Sequence, residues 1–133
     1  QDDRGLLARA VGRTLARRSA KDLEGVVLST FHPHLLYLLK AEAPSVPLAL
    51  LFEADRRGSV IAALGPLLLG PACINPNHAV VTAARVARWK ARGLGVHVWT
   101  VDDPAVGRRL ARDGVDALIT NDPARLRAGL AAP

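Results

Sequence analysis

The sequence predicts an α/β fold with a parallel sheet. Short apolar runs alternate with helical patterns along the chain, the signature of strands joined by crossover helices. The runs are apolar throughout instead of at every second residue, as in strands covered on both faces. Their starts recur at roughly 20 to 25 residues, the length of a compact strand-helix unit, and no G-x-G-x-x-G or Walker loop is present.

Each element follows from its residues. A helix is expected over 3–21, where Arg9, Arg13 and Arg17 form an i, i+4 stripe beside Leu7, Ala10, Val11 and Leu15. The strand over 25–30 precedes a helix over 33–43, which Pro33 opens at a position where a missing N–H is no loss. A strand over 47–52, a helix over 60–69 and a strand over 72–75 come next, then a helix over 78–92. The strand over 95–101 leads to a helix over 104–113, and the strand over 115–120 to a last helix over 123–130. Asp103 and Asp122 stand where N-caps belong, ahead of Pro104 and Pro123. Gly93 and Gly114 stand where helices end in a left-handed residue.

At 133 residues the chain is of single-domain size, and half of it is hydrophobic with 23% charged, enough to form a core. One cysteine, Cys73, excludes an internal disulfide and is expected to be a buried, inert thiol. The apolar runs are too short for the roughly 20 residues of a spanning helix. The first residues lack the pattern of a secretory signal and read as mid-protein sequence. They do not settle the compartment, and a cytoplasmic location is taken as the working expectation. The net charge of +6 invites a nucleic-acid reading. Phe31, Tyr37, Phe52, Trp89 and Trp99 are scattered and no RNA-binding or zinc-finger pattern accompanies them, so no nucleic-acid partner is expected.

In parallel α/β folds the C-terminal strand ends gather on one face, which carries function. Those ends hold Ser29, Thr30, Phe31 and His32, then Glu53, then Asn75 and Asn77, then Trp99, Thr100 and Asp102, and finally Thr120, Asn121 and Asp122. Polar and aromatic groups there, above nearly featureless strand bodies, describe a pocket over an apolar sheet. Trp99 is the leading candidate, because an indole covers apolar atoms while its N–H donates a hydrogen bond; packing in the core is the alternative. Phe31 either walls the same pocket or caps the sheet. Ser29, Asn75, Thr100 and Thr120 supply hydrogen bonds to substrate or to neighbouring loops. Asp102 is either a pocket acid or a loop acid. His97 lies between Val96 and Val98 and faces either the helices or the opposite side of the sheet. His32, His34 and His78 sit near helix starts, and no nucleophile-histidine motif is present.

Ser29-Thr30-Phe31 after a valine-rich strand, Asn75-Pro76, Val98-Trp99-Thr100-Val101 and the run from Gly114 to Pro123 resemble, in order and spacing, the C-terminal half of glycerophosphodiester phosphodiesterases. The Trp-Thr-Val and Gly-Val-Asp-x-x-x-Thr segments are the specific part. Asp102 stands where that family usually has Asn, and Asn121 where it often has Asp. The resemblance implies a (β/α)8 barrel that hydrolyses glycerophosphodiesters to glycerol 3-phosphate and an alcohol. It implies a divalent cation, magnesium or calcium, held by carboxylates, with two histidines moving protons. Those groups belong to the N-terminal half of the family domain, and the resemblance places them upstream of Gln1. A whole barrel takes typically ~250 residues, so residues 1–133 read as its C-terminal portion, a partial barrel of about five strands.

On that basis no catalytic and no metal-binding residue is expected in this chain, and no cation is expected to bind it alone. Phosphodiester cleavage needs a cation and a general acid. Among the strand-end acids, Asp122 reads as an N-cap, leaving Glu53 and Asp102, too few for an autonomous site. The substrate-contacting set is Trp99, Phe31, Asn75, Thr100 and Asp102. Two other classes compete with the enzyme portion. One is a half-barrel interaction module that self-associates, as a homo-oligomer, or is completed by a partner, through open sheet edges. The other is a small binding protein for anionic ligands at helix N-termini.

Overall fold

The computed structural model describes residues 3–53, 70 and 72–131. Five parallel strands stand side by side in sequence order: β1 (Leu28–Thr30), β2 (Leu48–Phe52), β3 (Cys73–Pro76), β4 (Gly95–Val98) and β5 (Ala117–Leu118). The described helices are α1 (Asp3–Ala16), α2 (Pro33–Glu42), α3 (Ala83–Lys90), α4 (Pro104–Arg112) and α5 (Pro123–Ala131). The expected α/β class and parallel sheet are therefore what this chain forms. The helix expected over 60–69 lies outside the described residues.

Alternation along the strands sorts their side chains onto two faces. Phe52, Ile74, Val96 and Val98 meet Val86 and Trp89 of α3, Leu110 of α4 and Leu126 of α5 in one buried cluster. Trp89 therefore belongs to the core, edge-on to Phe52 with ring centroids 6.0 Å apart. A second cluster joins Ala8 of α1, Leu35, Leu36 and Leu39 of α2, and Leu48 and Leu50 of β2. Leu51, Asn75 and His97 alternate with the helix-facing residues and share the opposite face, which settles the orientation of His97.

The capping signals hold. Asp103 Oδ1 accepts the Ala105 N–H at 2.8 Å, and Asp122 Oδ1 accepts that of Arg125 at 3.0 Å. Gly93 and Gly114 adopt φ of 75° and 87°, the left-handed conformation that ends α3 and α4 at low steric cost.

Several boundaries differ from expectation, each for a local reason. The first helix stops at Ala16, well before residue 21. The first strand begins at Leu28 and not at residue 25, where Gly25 has φ of 74°, outside the extended region of a regular strand. The helix expected over 78–92 is split into a 3-10 turn at His78–Val80 and α3. Asn77 Oδ1 takes the Ala79 N–H at 2.9 Å, Val81 and Thr82 are extended, and Thr82 Oγ1 caps α3 by accepting from Arg85 N–H at 3.3 Å. β4 ends at Val98, with Trp99 continuing as a single bridge to Asn77, and β5 has two residues instead of six.

Candidate active-site rim

The C-terminal strand ends converge as the sequence reading requires, and aromatic packing shows it. Phe31 follows β1 and Trp99 follows β4, with two strands between them. On a flat sheet three interstrand spacings of about 4.8 Å would hold them roughly 14 Å apart, with side chains perpendicular to the sheet. Their ring centroids instead lie 5.5 Å apart, edge to face at 85°. The sheet is therefore curved, and both rings stand on its concave side.

Trp99 is tied by every polar group it has. Its indole N–H donates to the Asn75 carbonyl at 2.8 Å, its backbone N–H to Pro76 O at 3.1 Å, and its carbonyl accepts from His78 N–H at 2.7 Å. The indole N–H expected to meet a ligand is thus used by the main chain, and the half-buried ring face is what Trp99 offers. Asn75, next along this face, is 5% exposed, and its Oδ1 is buried with no hydrogen-bond partner among the described residues. A buried acceptor without a donor is costly, so this atom calls for a hydroxyl or water donor. Thr100 is half-buried beside Trp99.

Asp102 is committed elsewhere. Its Oδ1 accepts the Thr120 hydroxyl and the Asn121 backbone N–H, each at 2.9 Å, and its Oδ2 accepts Asn121 Nδ2 at 2.8 Å. The Asn121 backbone N–H, followed by the two side-chain donors, holds this carboxyl below the usual carboxylate range. The two positions that depart from the family pattern are therefore partners of one another. Other strand-end groups also serve the backbone: Thr30 Oγ1 accepts His32 N–H and Thr120 Oγ1 accepts Asp122 N–H, both at 3.1 Å.

Asp116 is a residue the sequence reading left without a role. At the opposite end of β4 and β5 its Oδ1 accepts from Lys90 Nζ, and its Oδ2 accepts Val96 N–H at 2.9 Å. The lysine contact, first, and then the backbone N–H lower its pKa. Cys73 is half-buried, less enclosed than expected, and burial pushes its thiol up.

Comparison with known proteins matches this chain, over residues 5–125, to the model of the glycerophosphoryl diester phosphodiesterase family. The chain belongs to that family. It is 29% identical over 103 residues to a glycerophosphodiester phosphodiesterase of Caldanaerobacter subterraneus subsp. tengcongensis, covering 77% of this chain and 41% of that protein. A Silicibacter pomeroyi structure assigned to glycerophosphoryl diester phosphodiesterase superposes with a TM-score of 0.67 at 29% identity, over 78% of this chain and 37% of the other. An Oleispira antarctica phosphodiesterase, solved with the product sn-glycerol-3-phosphate, shares the fold with a TM-score of 0.68 at 17% identity, over 92% of this chain and 51% of its own. The chain thus spans about half or less of these relatives, and its five strands correspond to part of their barrel.

The cation associated with glycerophosphoryl diester phosphodiesterases finds no fitting donor set among the described residues. No group of three or more His, Cys, Asp or Glu side chains is gathered there. Both oxygens of Asp102 are engaged, Asp122 caps α5, and Glu53 is exposed at the end of β2. Glu53 opens a Glu-x-Asp string, Glu53-Ala54-Asp55, whose remaining members lie outside the described residues. Among the described residues no helix is long and apolar enough to cross a membrane.

Proposed function

We propose that this chain forms the substrate-facing rim of a phosphodiesterase that hydrolyses glycerophosphodiesters to glycerol 3-phosphate and an alcohol, and that by itself it is inactive. The observation that carries this reading is the Phe31–Trp99 contact across the curved sheet, in a chain of this family. Two aromatic rings packed edge to face at 85° make an apolar wall suited to the carbons of glycerol. Asn75 Oδ1 is a buried acceptor that a bridging water would link to one of the glycerol hydroxyls, and Thr100 supplies a further polar group. Asp102 contributes by holding the rim, not by touching substrate.

Rim residues orient an ester, whereas cleavage also requires charge neutralisation at the phosphoryl oxygens and protonation of the leaving alkoxide. The test is release of glycerol 3-phosphate from glycerophosphocholine with magnesium or calcium added. No release is expected from this chain, and turnover would overturn the incomplete-site reading. Joined to the N-terminal half of a family member, the chain is expected to gain activity. Trp99→Ala should then raise KM more than it lowers kcat; an unchanged KM would remove Trp99 from the substrate wall.

A second reading, self-association of a half-barrel, is favoured by the sheet edges. β1 and β5 close the strand order, and each lies beside an apolar groove, of about 390 Å3 at β1 and 370 Å3 at β5. Sedimentation of the purified chain decides it: a dimer supports this reading, and a monomer that binds no apolar dye excludes it.

A further inference from the structure

We infer that Asp102 and Asn121 form one exchangeable clasp: the pair positions the segment after β5 against the segment after β4, and its carboxylate works from either position. The inference rests on hydrogen bonds alone and holds whatever reaction the rim serves. Three donors from Thr120 and Asn121 converge on the single carboxylate of Asp102. The adjoining acids do other work, Asp103 capping α4 and Asp122 capping α5, so Asp102 is the acid that crosses between the two segments. Thr120 passes the link onward, donating to Asp102 while accepting from Asp122 N–H at 3.1 Å, so the clasp runs into the first turn of α5. On the other side it lies three residues after Trp99, whose carbonyl and indole N–H are already fixed to β3 and its turn. Asp102 is therefore a positioning residue for the aromatic rim.

Exchange conserves every bond. With Asn at 102, its amide oxygen accepts the backbone N–H of residue 121 and the Thr120 hydroxyl, while its amide nitrogen donates to a carboxylate at 121. The charge moves by one side-chain contact, from residue 102 to its partner at 121. The single substitutions are unequal. In Asp102→Asn two amides meet and still satisfy each other by rotation of one of them. In Asn121→Asp two carboxylates meet, with Asp103 and Asp122 close by in sequence, and repel.

The test is a double-mutant cycle on the full chain, read by thermal midpoint and by hydrogen exchange of the residue 121 amide. At pH 7, Asn121→Asp is expected to speed that exchange by about tenfold or more, and Asp102→Asn by less. The double exchange should return the rate to within about threefold of the parent and restore the midpoint. Below about pH 4 the Asn121→Asp deficit should shrink, because one carboxyl then carries a proton it can donate to the other. Should Asn121→Asp not fold at pH 7, the double exchange still decides, since a clasp predicts that adding Asp102→Asn recovers the folded chain. A double variant no better than Asn121→Asp, or an Asn121→Asp chain equal to the parent, overturns the inference.

Discussion

The flanks of the sheet are finished to different degrees. Around β3, β4 and β5 the strands are covered by α3, α4 and α5, and Ile74, Val96, Val98 and Leu110 are wholly buried. Around β1 the cluster among the described residues is smaller, and Leu28, Leu35 and Leu39 line an open groove with Leu7, which is 65% exposed. The first flank generates its own core, while the second presents a surface of the kind a neighbouring element buries. The rim spans both: Phe31 comes from the open flank and Trp99 from the closed one. A rim of this design is only as rigid as its less enclosed member.

The sharpest way to break this contrast is to hollow out each flank in turn. Trp89→Ala should cost about 3–5 kcal/mol in urea unfolding, because its void is enclosed by α3 and the sheet. Leu39→Ala should lie near the low end of the 2–5 kcal/mol range, since its site borders an open groove. Equal losses would show that the flanks are equally closed.

Helix packing offers the next test. An added Cβ at Gly129 would stand 2.3 Å from Pro104 Cβ, and one at Gly12 2.5 Å from Glu42 Cβ. Both atoms sit next to backbone, so each Gly→Ala change forces a helix pair apart, by about 1–3 kcal/mol. The α4–α5 pair should lose more than α1–α2, as its crossing also carries Leu126 and Leu130 against Gly107. A larger loss at Gly12 would reverse the ranking of the flanks.

Acid reports on the closed flank specifically. Asp102 and Asp116 both have lowered pKa values and clamp opposite ends of the β4–β5 pair. A depressed carboxylate stabilises above its unfolded value and loses that contribution as pH falls through the folded one. Stability should therefore be level above about pH 5 and fall below about pH 4, less steeply in Asp116→Asn. An unchanged acid limb in that variant would remove the lower clamp. The smallest effect is expected on the open flank, where Arg13→Ala breaks an exposed contact to Glu42 of 3.4 Å and should cost under about 1 kcal/mol.

Much of this was legible in the residues. Pro33, Pro104, Asp103 and Asp122 announced helix starts, Gly93 and Gly114 helix ends, and the apolar runs the strands, because caps and periodicity act within a few residues. Trp99 and Phe31 could be placed at strand ends for the same reason. Their contact was not legible: it depends on curvature accumulated over four strands. Asp102 read as either a pocket acid or a loop acid and Asp116 passed without a role, since neither partner set is near in sequence; Thr120 and Asn121 lie 18 and 19 positions from Asp102, and Lys90 26 from Asp116.

By itself, then, the sequence determined the order of the described strands, the parallel α/β class, the family and which residues reach the C-terminal end of the sheet, all consequences of local pattern. Only the tertiary structure decided what those residues do there. It turned an indole N–H and a carboxylate that looked free for a ligand into fastenings of the rim, because a hydrogen bond is made by whichever donor folding brings within 3 Å.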